Sequence, residues 1–295
     1  MVLPNFLIIG AVKAGTTSIA QYLAQHPQLF MSPVKEPFFF SFENQKLNFS
    51  GPGDGQALRL CVTSLECYEQ LFETVRDEIA IGEASTSYLY TPNAARAIHK
   101  YIPKVKLIAI LRNPVDTAYS SFLHQIREGF EPEHDFQKAL EQEVRRIQEN
   151  WLYFWAYRQN GFYYKNIKTY YNLFSREQIG VFLYSDFKQD PQQFMKHLFN
   201  FLDIDPSFQP DCSTQFNASG IPRNRILYNL ATQSHIAKKL LRIITPKRIR
   251  QQFRQASLRK PKLKHDVRQK LMTEYRQDIL QLQNLIRKDL SHWLI

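Results

Sequence analysis

The residues best suited to chemistry lie near the amino end, in Gly10-Ala-Val-Lys13-Ala14-Gly15-Thr16-Thr17-Ser18. A glycine-bearing turn from a strand into a helix points successive backbone N–H groups and the positive helix end at one spot, and an anion binds there. Lys13 adds a full charge, and the hydroxyls of Thr16, Thr17 and Ser18 add donors. A magnesium-dependent nucleotide-hydrolysing loop would read GxxxxGK[ST]. Here Thr16 follows Gly15 and the lysine lies upstream. Taken alone, such a turn is also an ordinary strand-to-helix connection.

A second anion site is written in Leu111-Arg112-Asn113-Pro114. Asn113 is a natural N-cap and Pro114 suits the first helical position, so a strand end delivers Arg112 beside a new helix. The planar, permanently charged fork of an arginine bonds two phosphate oxygens at once, and Ser120, two turns into the helix, adds a hydroxyl. An isolated arginine there would be a solvated surface residue; beside the first loop it suits a ligand with two separate phosphates. Glu36, in Lys35-Glu36-Pro-Phe38-Phe39-Phe40, is a carboxylate in an apolar neighbourhood. Its plain reading is a surface acid paired with Lys35; its chemical reading is a base that takes the proton of an attacking hydroxyl. Glu83 and Asp186, near strand ends, imitate the magnesium-holding carboxylate of a nucleotide or small-molecule kinase, the alternative to the reading below.

These residues need a scaffold. Short branched apolar runs at Phe6–Ile9, Ile79–Ile81, Val105–Leu111 and Ile179–Tyr184 read as buried strands. Helical patterns occupy Thr16–Gln25, Pro92–Tyr101, Pro114–Arg127 and Phe136–Trp155. Strands alternating with helices imply the α/β class: a P-loop-like, doubly wound parallel sheet flanked by helices. Asn44–Asp54 and Asp205–Pro222 read as irregular excursions. Near the carboxyl end, Val267, Leu271, Tyr275, Ile279, Leu282 and Ile286 recur at helical steps, the mark of an amphipathic helix packed on the body. The expectation is one domain over 1–295, with a core over about 4–205 and a basic helical carboxyl-terminal region over about 222–295.

The formal net charge of +11 predicts polyanionic partners. Most of it comes from Cys212–His265, a stretch with no acidic residue, where 223–264 is expected to meet an anionic polysaccharide or a membrane surface. No nucleic-acid reading motif accompanies it, so no nucleic-acid partner is expected. Three cysteines without CxxC or Cys/His spacing predict neither a disulfide framework nor a metal site, and a reducing, cytoplasmic setting follows. No run reaches the roughly 18 apolar residues of a membrane span.

The chain resembles the PAPS-dependent sulfotransferases (PAPS, 3′-phosphoadenosine 5′-phosphosulfate), in their heparan-sulfate and bacterial carbohydrate branch. The likeness is carried by KAGTTS at Lys13–Ser18, KEPFFF at Lys35–Phe40 and LRNPVDTAYSSF at Leu111–Phe122. It continues through Gly161-Phe-Tyr163, Val181–Asp186 and Arg287–Trp293, nearly the whole chain. The resemblance implies that Lys13, Ala14, Gly15, Thr16, Thr17 and Ser18 grip the 5′-phosphosulfate, that Arg112 and Ser120 grip the 3′-phosphate, and that Tyr163 lies near the adenosine. It further implies Glu36 as general base, Lys13 as catalytic cation and a glycan hydroxyl as acceptor. A basic lid drawing on Arg223, Arg259 or Lys260 is implied as well. The chain departs from the branch at Ala84, where glycan enzymes often carry lysine and small-molecule enzymes place a histidine nearby, which leaves Glu83 and His124 as candidate helpers.

Overall fold

A computed structural model of the chain describes residues 2–214, 220–222, 258, 259 and 261–295. Five parallel strands form the central sheet: β1 (Phe6–Gly10), β2 (Leu29–Met31), β3 (Ala80–Ala84), β4 (Lys106–Leu111) and β5 (Ile179–Leu183), in the order β2-β3-β1-β4-β5. Every residue of β1 is buried, and β4 is buried after its first residue, which is the pattern of strands covered on both faces. Gly82 lets β3 lie this close to β1, because a Cβ there would come within 2.3 Å of the Phe6 ring.

The helices of eight residues or more among the described residues are α1 (Thr16–Leu23), α2 (Ala94–Tyr101), α3 (Pro114–Glu128), α4 (Tyr164–Tyr171), α5 (Pro191–Phe201) and α6 (His265–Ile286). After β1 the chain winds to β2 and β3 on one side, then crosses to β4 and β5 on the other. Where winding reverses, the connections leave the carboxyl ends of neighbouring strands in opposite directions and open a crevice. The doubly wound expectation holds. Sequence reading missed β2, whose three residues follow a His-Pro pair and carry too little pattern to register.

Two local expectations need correction. Phe136–Trp155 is not one helix: it breaks into Phe136–Glu141, Glu143–Gln148 and a turn at Tyr153–Trp155. Arg146 is fully buried, pairs bidentately with Glu131 at 2.9 and 2.7 Å, and lies over the Trp151, Trp155 and Tyr157 rings. The chain must fold back to build that cage, through Asn150 at φ 58°. Nor is Asn44–Asp54 wholly a surface excursion. Asp54 is fully buried and accepts from the Gly51 and Leu152 N–H groups and Trp155 Nε1 at 2.9, 3.0 and 2.8 Å.

The carboxyl-terminal helix follows its periodicity. Val267, Leu271, Tyr275, Ile279, Leu282 and Ile286 are all buried and join one hydrophobic cluster that runs from Phe6 to Trp293. Asp278 of α6 accepts from the backbone N–H of Tyr163 at 2.9 Å and of Tyr164 at 3.2 Å, and so caps the start of α4. Asp278→Ala is expected to lower stability by about 1–2 kcal/mol, read as a reduced urea midpoint at unchanged slope. A second, two-residue antiparallel pair joins Ile221–Pro222 to Leu258–Arg259 beside α3, with Arg259 exposed. Arg223, Lys260 and most of 223–264 lie outside the described residues. No described helix is long and apolar enough to cross a membrane.

Candidate active site

The carboxyl ends of the five strands supply the site. The turn after β1 runs through Val12, whose N–H bonds Tyr90 Oη at 3.2 Å, to Gly15, which opens α1 without a side-chain cap. Gly15 holds φ 83°, and a Cβ there would meet the Tyr184 ring at 3.0 Å, so both backbone and space call for glycine. Lys13 also takes a left-handed conformation, φ 57°. Its carbonyl accepts Arg112 Nη1 at 2.8 Å, and the Arg112 guanidinium lies over the Tyr184 ring at 5.0 Å. Arginine and loop are therefore one unit, drawn from the ends of β1, β4 and β5.

That unit is crowded with positive charge. Burial, and then the charges of Arg127 and Arg112, pull the Lys13 ammonium down to about 7, with Lys35 adding and Glu128 opposing. An anion entering beside Lys13 favours its charged form.

Glu36 hangs over the same space from the connection after β2. Its backbone N–H bonds the Ala84 carbonyl at 3.0 Å, its Oε2 accepts the Thr86 N–H at 2.8 Å, and Thr86 Oγ1 lies 3.2 Å from Oε1. Lys35 pairs with the same carboxylate. Glu36 and Phe38 are both left-handed, φ 61° and 60°, a conformation that side chains adopt only when their surroundings enforce it. The result aims the carboxylate at the cavity. Phe38 borders the cavity too, whereas Phe39 and Phe40 pack on Tyr68 and Tyr101.

The cavity has a volume of about 840 Å³. Lys13, Gly15, Thr16, Thr17, Ser18 and Glu36 line it. Ala14 is buried outside that lining, and Arg112, 9% exposed, supports Lys13 rather than the wall. Ser120 and Tyr163 are buried outside the lining; Tyr163 bonds Thr117 Oγ1 through its hydroxyl at 3.2 Å and meets the Trp293 ring edge-on. On α3 the wall is instead Ser121, His124, Gln125, Arg127 and Glu128. Further wall comes from Gly53, Gln56, Ala57, Arg59 and Leu60, and from Phe130, Tyr153 and Phe154. Of these wall residues sequence reading singled out His124 as a candidate helper; the others come from separate stretches with no shared spacing, and the Arg127-Glu128 pair at the helix end was the one further signal available.

The helper candidates are placed unequally. Glu83 lies outside the cavity lining, fully buried against Tyr68 Oη at 3.2 Å, and burial pushes its carboxyl up to about 7. Asp186 is exposed on the helical turn after β5 and also outside the lining. Neither carboxylate borders the cavity that the loop lines, where a kinase would hold its magnesium. His124 Nδ1 lies 2.7 Å from Arg127 Nη2. Arginine has no acceptor, so Nδ1 accepts and Nε2 keeps the ring proton, which makes His124 a donor rather than a base.

A strand-to-helix loop, an arginine bonded to it and a carboxylate on the wall of the same cavity make up the site. The sulfotransferase family model matches residues 4–210. The chain belongs to that family. Over 99% of both chains it superposes on a sulfotransferase from Alicyclobacillus acidocaldarius, with a TM-score of 0.80 and 31% identity. It is 26% identical over 255 residues to mouse carbohydrate sulfotransferase 15, a match covering 69% of this chain and 44% of that one. It is 30% identical over 128 residues to the membrane-associated sulfotransferase kil1 of Dictyostelium discoideum, covering 42% of this chain and 24% of that one. The chain thus spans under half the length of these two curated relatives.

Proposed function

We propose that this sulfotransferase moves a sulfuryl group from PAPS to a carbohydrate hydroxyl, with Glu36 as general base. The observation that carries the reading is that Glu36 and the Lys13–Ser18 loop border one cavity. The donor supplies an activated sulfuryl group on a phosphate oxygen. Lys13, the loop N–H groups and the hydroxyls of Thr16, Thr17 and Ser18 hold its 5′ end. Arg112 and Ser120, buried behind the loop and on α3 rather than on the cavity wall, are assigned to the 3′-phosphate by the family resemblance, and Tyr163 to the neighbourhood of the adenosine. Glu36, fixed by Thr86, takes the acceptor proton, and the Lys13 ammonium neutralises charge arriving on the phosphate oxygen.

The carbohydrate class is supported by the likeness to carbohydrate sulfotransferase 15. Donor binding is the decisive test: titration calorimetry of adenosine 3′,5′-bisphosphate in chelator, with ATP as competitor. Metal-free binding that ATP does not displace, reduced about 100-fold or more in Lys13→Ala, is the expected result. A preference for ATP with magnesium would overturn the reading in favour of a kinase. The basic 223–264 stretch serves an anionic glycan or membrane surface in this reading, and retention on heparin that salt below about 0.3 M abolishes would match surface charge alone.

A further inference from the structure

Helix α3 ends at the cavity with an unusual side chain. Arg127 borders the cavity but is 7% exposed, so its guanidinium is largely removed from solvent. Nε bonds Glu128 Oε1 at 2.9 Å and Nη2 bonds His124 Nδ1 at 2.7 Å, which fixes the plane of the fork. Among the charges acting on the Lys13 ammonium, Arg127 weighs most, ahead of the Arg112 bonded to the loop itself.

A cation in the last turn of a helix complements the negative helix end, and a solvated lysine would do this without burial. Burying a guanidinium against an ammonium costs free energy unless an anion lies between them. Glu128 pairs with Arg127 and also favours the Lys13 ammonium, so one carboxylate is set against two cations on the cavity wall. Loop and helix end therefore bring their two cations to the same cavity.

Resting on the sulfuryl-transfer reading, we infer that Arg127 is a catalytic residue that grips the oxygens of the travelling sulfuryl group from α3 while Lys13 holds the phosphate side. In the transfer the acceptor oxygen forms a bond to sulfur and gives its proton to Glu36. The bond from sulfur to the phosphate oxygen breaks, and its electron pair stays on that oxygen, beside Lys13. The sulfuryl oxygens remain anionic throughout, and a planar fork bonds two of them as the group moves between partners. His124 and Glu128 are positioning residues that hold the fork ready.

The test compares PAPS with adenosine 3′,5′-bisphosphate, which differ only by the sulfuryl group. Both are titrated into wild type, Arg127→Met and Arg127→Lys without acceptor. In Arg127→Met, PAPS affinity is expected to fall about tenfold or more while bisphosphate affinity changes less than about threefold, and Arg127→Lys recovers part of the loss. Slow acceptor-free hydrolysis of PAPS should fall in the same order. Equal losses for both ligands would assign Arg127 to the phosphate or to the helix end and overturn the inference, as would unchanged PAPS binding. Failure of wild type to bind either ligand would instead sink the sulfotransferase donor reading itself.

Discussion

Glu36→Gln should lower kcat by roughly 10²–10⁴-fold while leaving the affinity for adenosine 3′,5′-bisphosphate within about twofold. The amide oxygen of glutamine can still accept the Thr86 N–H, so the left-handed segment keeps the 2.8 Å bond that orients the side chain. What is lost is the ability to take a proton and the charge that pairs with Lys35. Because the base acts only on the acceptor hydroxyl, donor binding is a control for folding within the same sample. Rates are compared on any hydroxyl acceptor that wild type sulfates. Glu83→Gln is the second control: this acid lies outside the cavity lining, so kcat should change little. An unchanged kcat in Glu36→Gln would remove Glu36 from the chemistry and turn attention to Glu128, the other carboxylate on the wall.

The loop after β1 and the start of α3 were readable because their parts are local. A glycine-bearing turn, a lysine and three hydroxyls fall within nine residues, and Asn113-Pro114 marks the start of α3 where the structure places it, with Asn113 Oδ1 accepting the Val115 N–H at 3.0 Å. β1, β4 and β5 were readable for the same reason, since each is a nearly continuous apolar run, whereas β3 was read only at its start because Gly82 and Glu83 interrupt it. The rest of the cavity wall was not. Gly53–Leu60, Tyr153 and Phe154 meet because Asp54 ties Gly51 to Leu152 and Trp155, a junction between residues about a hundred positions apart. Its only local trace is an aspartate among glycines, which reads as a turn. Likewise the break after Gln148 follows from burying Arg146 under three aromatic rings, while the local pattern favoured a continuous helix. Periodicity reports which face is buried, and says nothing of a charged side chain buried with a distant partner.

The affinity for adenosine 3′,5′-bisphosphate should fall about tenfold per pH unit above pH 7, roughly 100-fold between pH 7 and pH 9. In the unliganded protein the Lys13 ammonium is pulled down to about 7 by burial and by Arg127 and Arg112. A bound phosphate favours the charged form and returns it toward the ordinary lysine range, so binding above pH 7 must first take up a proton. Below pH 7 the lysine is charged with or without ligand, and this dependence vanishes. Phosphate ionisation, centred near pH about 6, acts in the opposite direction and is complete by then. Calorimetry near pH 8 in two buffers of different ionisation enthalpy should register uptake of about one proton per ligand, and Lys13→Met should register none. The unliganded protein carries the complementary signature. Its unfolded chain holds more protons than the folded one from about pH 7 up to the ordinary lysine value, so the stability that this burial costs is recovered as pH rises through that window. Arg127→Met, by removing the strongest neighbouring charge, should move the lower edge of the window upward. A flat affinity between pH 7 and pH 9 would mean that Lys13 keeps its proton without the ligand, and that the cations around the loop are already neutralised.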